Sequence, residues 1–208
     1  SIEEPEVTTA KLESNLFTTE LASYSTTGGG SEGRRTNISL AVQSCNGVIL
    51  LPGETFSYND VLGERTADKG YQPAGAYSDG EVVEQLGGGI CQVSSTLFAA
   101  VLHTDLEIIT RANHSMPVSY LPMGMDATVS WGGPEFKFKN NFAYPIKISA
   151  SYSGGTITFK ILGAASDKKK IEVEIKKTGE MSAETYRKYY DENGNVTSTK
   201  RVARSNYK

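Results

Sequence analysis

One stretch near the middle of the chain, Gly87 to Leu102 (GGGICQVSSTLFAAVL), constrains the fold more than any other. Three consecutive glycines let the backbone adopt positive φ angles and lie close to other groups. The residues that follow favour a helix, and at 100° per residue Val93, Leu97 and Val101 fall on one broad apolar arc. A helix with so few polar residues is expected to be buried at the centre of the fold, with the glycine loop at its start.

Cys91 lies at or near the first turn of this predicted helix. Unpaired N–H groups and the helix dipole favour negative charge there, so the position lowers the pKa of a thiol and stabilises the nucleophilic thiolate. The same N–H groups could receive the oxyanion that develops during acyl transfer. Free cysteines are also common as small buried hydrophobes. Position alone therefore leaves a nucleophilic and a structural role open for Cys91.

Composition limits the other function classes. A chain of 208 residues can bury the core of one main domain, and its net charge of −3 argues against broad nucleic-acid binding. No apolar run approaches the roughly 20 residues that cross a bilayer. No signal peptide is visible, but the chain starts at Ser1 without a methionine, so we expect that a membrane anchor could lie upstream. Two cysteines and two histidines show no zinc-ligand spacing, so we expect no metal or cofactor. We also expect the protein to be a monomer.

The pattern along the chain predicts an α+β fold, with helices early and antiparallel strands late. We expect a flexible N-terminal arm over residues 1–35, a catalytic domain over 36–165 and a β-rich C-terminal extension over 166–208 that packs on the same domain. Thr36 is the predicted cap of a first helix that ends at Cys45. Cys45 has helical spacing with apolar neighbours, which indicates core packing.

Alternation of apolar and polar residues predicts most of the strands. They are expected at 48–51, 106–111, 127–131, 135–139, 146–152, 156–162 and 171–176, with hairpin turns at Gly154-Gly155 and Glu192-Asn193-Gly194. Residues 53–80 are expected to be rich in loops, anchored by Phe56, Tyr58 and Tyr71.

A cysteine nucleophile usually needs a base within hydrogen-bond reach, and the chain has two histidines. His103 is twelve residues beyond Cys91 on the same predicted helix, about 18 Å along its axis, so we expect it at a solvated helix end. His114 follows a predicted strand in a loop, where catalytic groups often lie. His114 is therefore the candidate base, and an ordinary loop histidine is the alternative.

A third group would be expected to orient the base. Asp126, directly before a predicted strand, is the first choice, with Asp60 and Asn59 as alternatives. Arg65 and Arg111 could each hold a substrate carboxylate, although surface arginines are common.

Six further residues are candidates for substrate binding because they lie near Cys91 in the sequence or could line a cleft. They are Gly88, Gly89, Gln92, Ser94, Ser95 and Trp131. Serines early in a helix also serve as local caps, and core packing is the more common role of a single tryptophan such as Trp131.

Several motifs in fixed order resemble the VanW domain, a bacterial family named after glycopeptide-resistance gene clusters. The matching stretches are RTNISLAVQSCNG at 35–47, PGETFSYN at 52–59, GGGICQVSSTL at 87–97, HSMPVSYLPMGMDATV at 114–129, FKFKN at 136–140 and PIKISA at 145–150. Residues 186–207 resemble the tail that commonly extends this domain. The resemblance covers nearly everything after residue 20.

This resemblance implies an extracytoplasmic protein of the bacterial cell envelope that acts on peptidoglycan stem peptides. Some proteins with this domain are reported to be L,D-transpeptidases. By that resemblance Cys91 attacks the peptide after the third residue of a tetrapeptide stem, releases D-Ala and forms a thioester. The side-chain amine of a diaminopimelate on another stem then resolves the thioester into a 3-3 cross-link.

Two function classes follow from this reasoning. The first is a cysteine-dependent acyltransferase, either an L,D-transpeptidase or the related L,D-carboxypeptidase. The second is a non-catalytic peptidoglycan- or glycopeptide-binding module in which Cys91 is structural. A helix-start cysteine paired with a loop histidine would favour the enzyme. A buried Cys91 without a cleft, or a disulfide between Cys45 and Cys91, would favour the binding module.

Overall fold

The computed structural model describes residues 16–78 and 81–208, and it describes the backbone alone at residues 76–78, 81 and 82. The helices are α1 (Glu32–Cys45), α2 (Tyr58–Leu62) and α3 (Ile90–Leu102), with 3₁₀ turns at Ala67–Lys69 and Ala165–Asp167. The strands are β1 (Thr19–Thr27), β2 (Ile49–Leu50), β3 (Thr55–Ser57), β4 (Pro73–Ser78), β5 (Glu81–Leu86), β6 (Glu107–Thr110), β7 (Lys137–Lys139), β8 (Ile146–Ser153), β9 (Thr156–Gly163), β10 (Lys170–Gly179), β11 (Ser182–Tyr190) and β12 (Val196–Asn206).

The strands form antiparallel sheets, which confirms the predicted α+β class. A four-stranded sheet has the order β1-β9-β8-β2, and three-stranded sheets have the orders β3-β7-β6 and β10-β11-β12. Strands β4 and β5 form a separate hairpin. Helix α3 packs against β1, β9 and α1, and all of its residues except Cys91 are buried. The prediction of a buried central helix is therefore confirmed.

The prediction of a flexible arm over residues 1–35 is wrong for its described second half. Residues 19–27 form β1, which pairs with β9 at the edge of the four-stranded sheet. Ser23, Ser25 and Thr27 are exposed, whereas Leu21 and Thr26 face the core, and this pattern suits a strand with one buried face. Helix α1 begins at Glu32 rather than after Thr36, because Ser31 is the N-cap. Residues 1–15 of the predicted arm lie outside the described residues.

The predicted strand at 127–131 is also absent as a ladder strand. This segment makes a single bridge, between Thr128 and Ala112, because side chains of α3 take its backbone groups. Ser95 Oγ accepts a hydrogen bond from Ala127 N at 2.9 Å, and Ser94 Oγ donates to Ala127 O at 2.6 Å. The segment is thereby held across the start of α3 without a neighbouring strand.

The stretch at 53–80 contains more regular structure than its loop-like sequence predicts, since β3, α2 and β4 lie within it. Its three predicted anchors are confirmed: Phe56, Tyr58 and Tyr71 are all buried.

One buried arginine joins the C-terminal sheet to the end of α3. Arg187 on β11 donates hydrogen bonds of 2.9 Å each to the carbonyl oxygens of Val101, Leu102 and Leu106. The last carbonyls of a helix have no partner within the helix, and a cation at that end also complements the helix dipole. Arg187 therefore caps α3 from a different sheet.

Replacing Arg187 with methionine is expected to lower the free energy of unfolding by about 2–4 kcal/mol, because three charge-assisted hydrogen bonds to buried carbonyls are lost. Urea denaturation followed by circular dichroism measures this difference. Arg204→Met is the matched control, since Arg204 is exposed in the same sheet, and it should change the free energy by less than about 0.5 kcal/mol. Equal stability of the two variants would contradict the capping role of Arg187.

Candidate active site

The glycine loop sets where α3 begins. Gly89 is the N-cap with φ of 107°, and Gly87 has φ of 84°, a backbone region that L-residues rarely adopt. Gly88 lies so close to β4 that an added Cβ would be 2.4 Å from the carbonyl oxygen of Ala74. The three glycines are therefore required by the turn and by this close approach, and they place Cys91 in the first turn of the helix.

Cys91 is half-buried and lines a cavity of about 910 Å³. Its Sγ lies 3.4 Å from Val129 O and 3.7 Å from Thr128 Oγ1. Cys45 is fully buried in the core, as predicted, and burial raises the pKa of its thiol. Both cysteines are free, so no disulfide joins them.

His114 lies in the wall of the same cavity and interacts with the Cys91 thiol. Its Nδ1 is 2.7 Å from Asp126 Oδ2, which leaves Nε2 for the sulfur. Burial raises the pKa of Cys91, but the interaction with the neighbouring His114 ring and its charge outweigh this effect and lower that pKa below its usual value. Burial lowers the pKa of His114, but its hydrogen bond with Asp126 and its interaction with Cys91 raise it to about 9. The pair therefore favours a thiolate facing an imidazolium.

Asp126 is fully buried, and its carboxylate accepts four hydrogen bonds from described residues. They come from the backbone N of His114 (2.7 Å), its Nδ1 (2.7 Å), Arg111 Nη2 (3.0 Å) and Tyr207 Oη (2.5 Å). Burial alone would raise the pKa of Asp126, but the hydrogen bonds from His114 and the charge of Arg111 hold it below its usual value. Asp126 is thus a fixed anion that orients the ring of His114.

The two alternatives for this third position are wrong. Asn59 accepts a hydrogen bond from Arg65 Nη2 at 2.5 Å and donates to the carbonyl oxygens of Ser130 and Pro134. Asp60 is exposed in the first turn of α2. Neither residue hydrogen-bonds to His114 within the part of the chain that the structure describes.

Two members of this network could not be assigned from the sequence. Arg111 was a candidate for binding a substrate carboxylate, but this interpretation is wrong: its guanidinium donates to Asp126 Oδ1 and to Ser205 Oγ (2.7 Å), away from the cavity. Tyr207 follows β12, and its hydroxyl donates to Asp126 and accepts from Gly124 N at 2.7 Å. Tyr207 reaches Asp126 across 81 residues, so no local pattern could have indicated the contact.

The predicted substrate-binding residues separate into two groups. Gly89, Gln92 and Trp131 line the cavity, whereas Gly88, Ser94 and Ser95 do not. The assignment of Ser94 and Ser95 is therefore wrong, since both are fully buried and donate to Ala127 O. Gly88 has a packing role against β4 instead.

Gln92 lines the cavity, but its amide is already used within the protein. Its Nε2 donates to Thr26 Oγ1 (3.1 Å) and Thr27 O (3.0 Å), and its Oε1 accepts from Arg34 Nη2 (2.7 Å). Gln92 thus ties α3 to β1 and α1. Trp131 is 52% exposed at the cavity, so its expected core role is wrong.

The second histidine is separate from this site. His103 is half-buried rather than solvated as expected: its Nδ1 lies 2.8 Å from Ala99 O, and its ring stacks on Tyr24 with centroids 5.6 Å apart. It does not line the cavity that contains Cys91.

Backbone donors are also present at the start of α3. The N–H groups of Ile90 and Gln92 bond to the carbonyl oxygens of Gly87 and Gly89. Among the described residues, no acceptor pairs with the N–H of Cys91. This group is available to an oxyanion formed next to the sulfur.

Residues 16–78 and 81–208 contain neither of two other types of site. No group of three or more His, Cys, Asp or Glu side chains is arranged to hold a metal ion. None of the described helices combines the length and the hydropathy that a membrane span requires.

Known proteins match most of this chain. A family model described as "VanW like protein" matches residues 33–162. The "Uncharacterized protein YoaR" of Bacillus subtilis is 46% identical over 149 residues, which make up 71% of this chain and 49% of that protein. The "Vancomycin B-type resistance protein VanW" of Enterococcus faecalis is 35% identical over 135 residues, 61% of this chain and 49% of that protein. The chain thus spans about half the length of these curated relatives, and no solved structure matches it.

Proposed function

Because the chain belongs to the VanW family, and because its cavity joins a helix-start cysteine to a buried His–Asp pair, we propose that it is a cysteine-dependent acyltransferase of the bacterial cell envelope. Its proposed reaction is L,D-transpeptidation of peptidoglycan stem peptides. The observation that carries the proposal is the network of Cys91, His114 and Asp126, in which the thiol pKa is lowered and the imidazole pKa is raised.

In the first half of the reaction, the Cys91 thiolate attacks the carbonyl carbon of the third stem residue. The carbonyl electrons move to oxygen, and the resulting oxyanion accepts a hydrogen bond from the N–H of Cys91 at the start of α3. His114, protonated, gives its Nε2 proton to the nitrogen of the leaving D-Ala. The C–N bond then breaks, and a thioester to Cys91 remains.

In the second half, an amine from another stem attacks the thioester. Neutral His114 takes a proton from this amine, the C–S bond breaks, and a new amide forms as the thiolate returns. Asp126 stays ionised throughout and stabilises the imidazolium each time it forms. If water attacks instead of the amine, the product is a tripeptide stem, and the enzyme is then an L,D-carboxypeptidase.

The alternative is a non-catalytic module that binds peptidoglycan or a glycopeptide. The name of the Enterococcus faecalis relative connects that protein to vancomycin resistance but names no reaction. A structural Cys91 would be buried without a cleft or joined to Cys45. The cavity at Cys91 and the free state of both thiols argue against that role.

Incubation of the protein with a disaccharide-tetrapeptide that contains diaminopimelate tests the proposal. Chromatography with mass spectrometry should detect a cross-linked dimer whose mass is that of two substrates minus one D-Ala. Tripeptide and free D-Ala without any dimer would assign the carboxypeptidase reaction. Unchanged substrate, with the protein shown to be folded, would contradict both enzyme activities and favour the binding module.

A further inference from the structure

Arg65 is a buried cation in the wall of the Cys91 cavity. Its side chain lines the cavity, yet the residue is only 8% exposed. The five N–H donors of a guanidinium suit a carboxylate, which they can bind in a bidentate manner. A charge in such a position is costly unless a partner compensates it.

Within the described residues, no carboxylate lies in ion-pair distance of Arg65. Nη1 donates to Gly63 O (2.9 Å) and Nη2 donates to Asn59 Oδ1 (2.5 Å). Both acceptors are neutral, and Nε is buried without any partner. The described residues therefore hold this guanidinium in a fixed position but leave its charge uncompensated.

The glycine loop connects Arg65 to the nucleophile. An added Cβ on Gly87 would lie 3.4 Å from Arg65 Cγ, and the carbonyl of Gly87 accepts a hydrogen bond from Ile90, the residue before Cys91. The charges of both Arg65 and Cys91 also influence the pKa of the Tyr58 phenol, whose hydroxyl donates to Ile90 O. The side chain of Arg65 thus packs against the glycine loop that precedes the thiol.

The other charges of the cavity give it a net positive character. Arg34 lines it and hydrogen-bonds to Gln92 and Gly29 O, both neutral groups, while the imidazolium of His114 is balanced by the thiolate of Cys91. Glu64 also lines the cavity, but its side chain is exposed. An anionic group of a substrate would therefore be favoured close to Arg65.

We propose that Arg65 binds the free terminal carboxylate of the amino acid that leaves during acylation. This inference rests on the proposed acyltransferase function and adds a specificity to it. In a peptide, the carboxylate carbon of the leaving residue is three bonds from the carbonyl carbon that the thiolate attacks. A cation beside the glycine loop would thus select substrates with one residue, and a free carboxylate, beyond the cleaved bond.

Alkylation of Cys91 tests the site without requiring acyl transfer. Iodoacetate carries a carboxylate and iodoacetamide is its neutral analogue, so the ratio of their rates reports attraction of an anion to the cavity. Arg65→Gln is expected to lower this ratio about ten-fold, a reasonable value for one partly screened charge pair. Arg35→Gln removes the same charge from an exposed position outside the cavity and should leave the ratio within about two-fold.

A ratio that is the same in wild type and Arg65→Gln would overturn the proposal. If Arg65→Gln does not fold, protection of the wild-type protein decides instead. D-Alanine should slow the labelling of Cys91 by iodoacetamide, and D-alaninamide, which lacks the carboxylate, should not. Equal protection by the two compounds, or none by either, would overturn the proposal.

A second comparison separates this inference from the proposed function. The tetrapeptide stem should acylate the wild-type protein at least about ten-fold faster than its C-terminal amide, and Arg65→Lys, which lacks the bidentate fork, should reduce that preference. Equal acylation by acid and amide would overturn the role of Arg65 and leave the acyltransferase function standing. An alkylation ratio that depends on Arg65, without acylation by either peptide, would keep the carboxylate site and contradict the function.

Discussion

Cys91→Ala is expected to abolish formation of the cross-linked dimer, the tripeptide product and any covalent adduct with a tetrapeptide stem. Covalent catalysis requires a nucleophile at this position, and Cys45, the other thiol of the chain, is fully buried in the core. Product analysis by mass spectrometry under identical conditions measures the loss.

Cys45→Ala is the matched control for this variant. It removes the other thiol from the core at a cost of about 1 kcal/mol in stability, and it should retain product formation below its melting temperature. Cross-linking by Cys91→Ala at the wild-type rate would contradict the nucleophilic role of Cys91. Loss of activity in folded Cys45→Ala would move that role to the buried thiol.

His114→Ala is expected to lower the acylation rate by about two to four orders of magnitude, the usual contribution of a positioned general acid or base. The histidine acts twice, since it stabilises the thiolate and protonates the leaving nitrogen. Single-turnover acylation measures the effect. His103→Ala is the matched control, because its ring packs on Tyr24 and does not line the cavity. A similar loss in both variants would contradict the assignment of His114.

The acylation rate of the wild-type protein should follow a bell-shaped curve against pH, with apparent pKa values that belong to the Cys91–His114 pair. Because the pKa of Cys91 is lowered, the reactive thiolate forms below the usual thiol range, and the rate rises as pH increases through that lowered value. Because the pKa of His114 is raised to about 9, the imidazolium persists to that pH and the rate falls above it. A profile that keeps rising beyond pH 10 would contradict an imidazolium acid.

Local signals predicted the three central residues of the site. Cys91 follows a glycine loop and precedes an apolar helix, and its geometry on that helix excluded His103 and left His114. Asp126 was the first choice among three acidic or amide residues, and the structure places its carboxylate 2.7 Å from the ring of His114. These positions could be predicted because helix periodicity and loop position are properties of short segments.

Contacts between distant segments could not be predicted in the same way. Arg111 looked like a surface arginine that could bind substrate, but its charge is neutralised by Asp126, fifteen residues away. Tyr207 completes the set of donors to Asp126 from the end of the chain. Strand β1 was missed because its polar residues resemble a flexible segment until β9 provides the paired edge.

The C-terminal sheet therefore contributes to the site although the matched family region ends at residue 162. Tyr207 donates to Asp126, Ser205 accepts from Arg111, and Arg187 caps the far end of α3. The first two contacts hold Asp126 and Arg111 in place beside His114, and the third holds the C-terminal end of α3, the helix that carries Cys91 in its first turn. Any experiment on the proposed reaction should retain residues 163–208.

Intact-mass analysis of the wild-type protein, quenched in acid shortly after mixing with a disaccharide-tetrapeptide, tests directly whether Cys91 forms a covalent acyl-enzyme. The mass should increase by that of the substrate minus one D-Ala, the value for a thioester formed with release of the free amino acid, and peptide mapping should locate the adduct on Cys91. Hydroxylamine should remove it. Release of D-Ala without an adduct on Cys91 at any time point, or an adduct on another residue, would contradict covalent catalysis by this thiol.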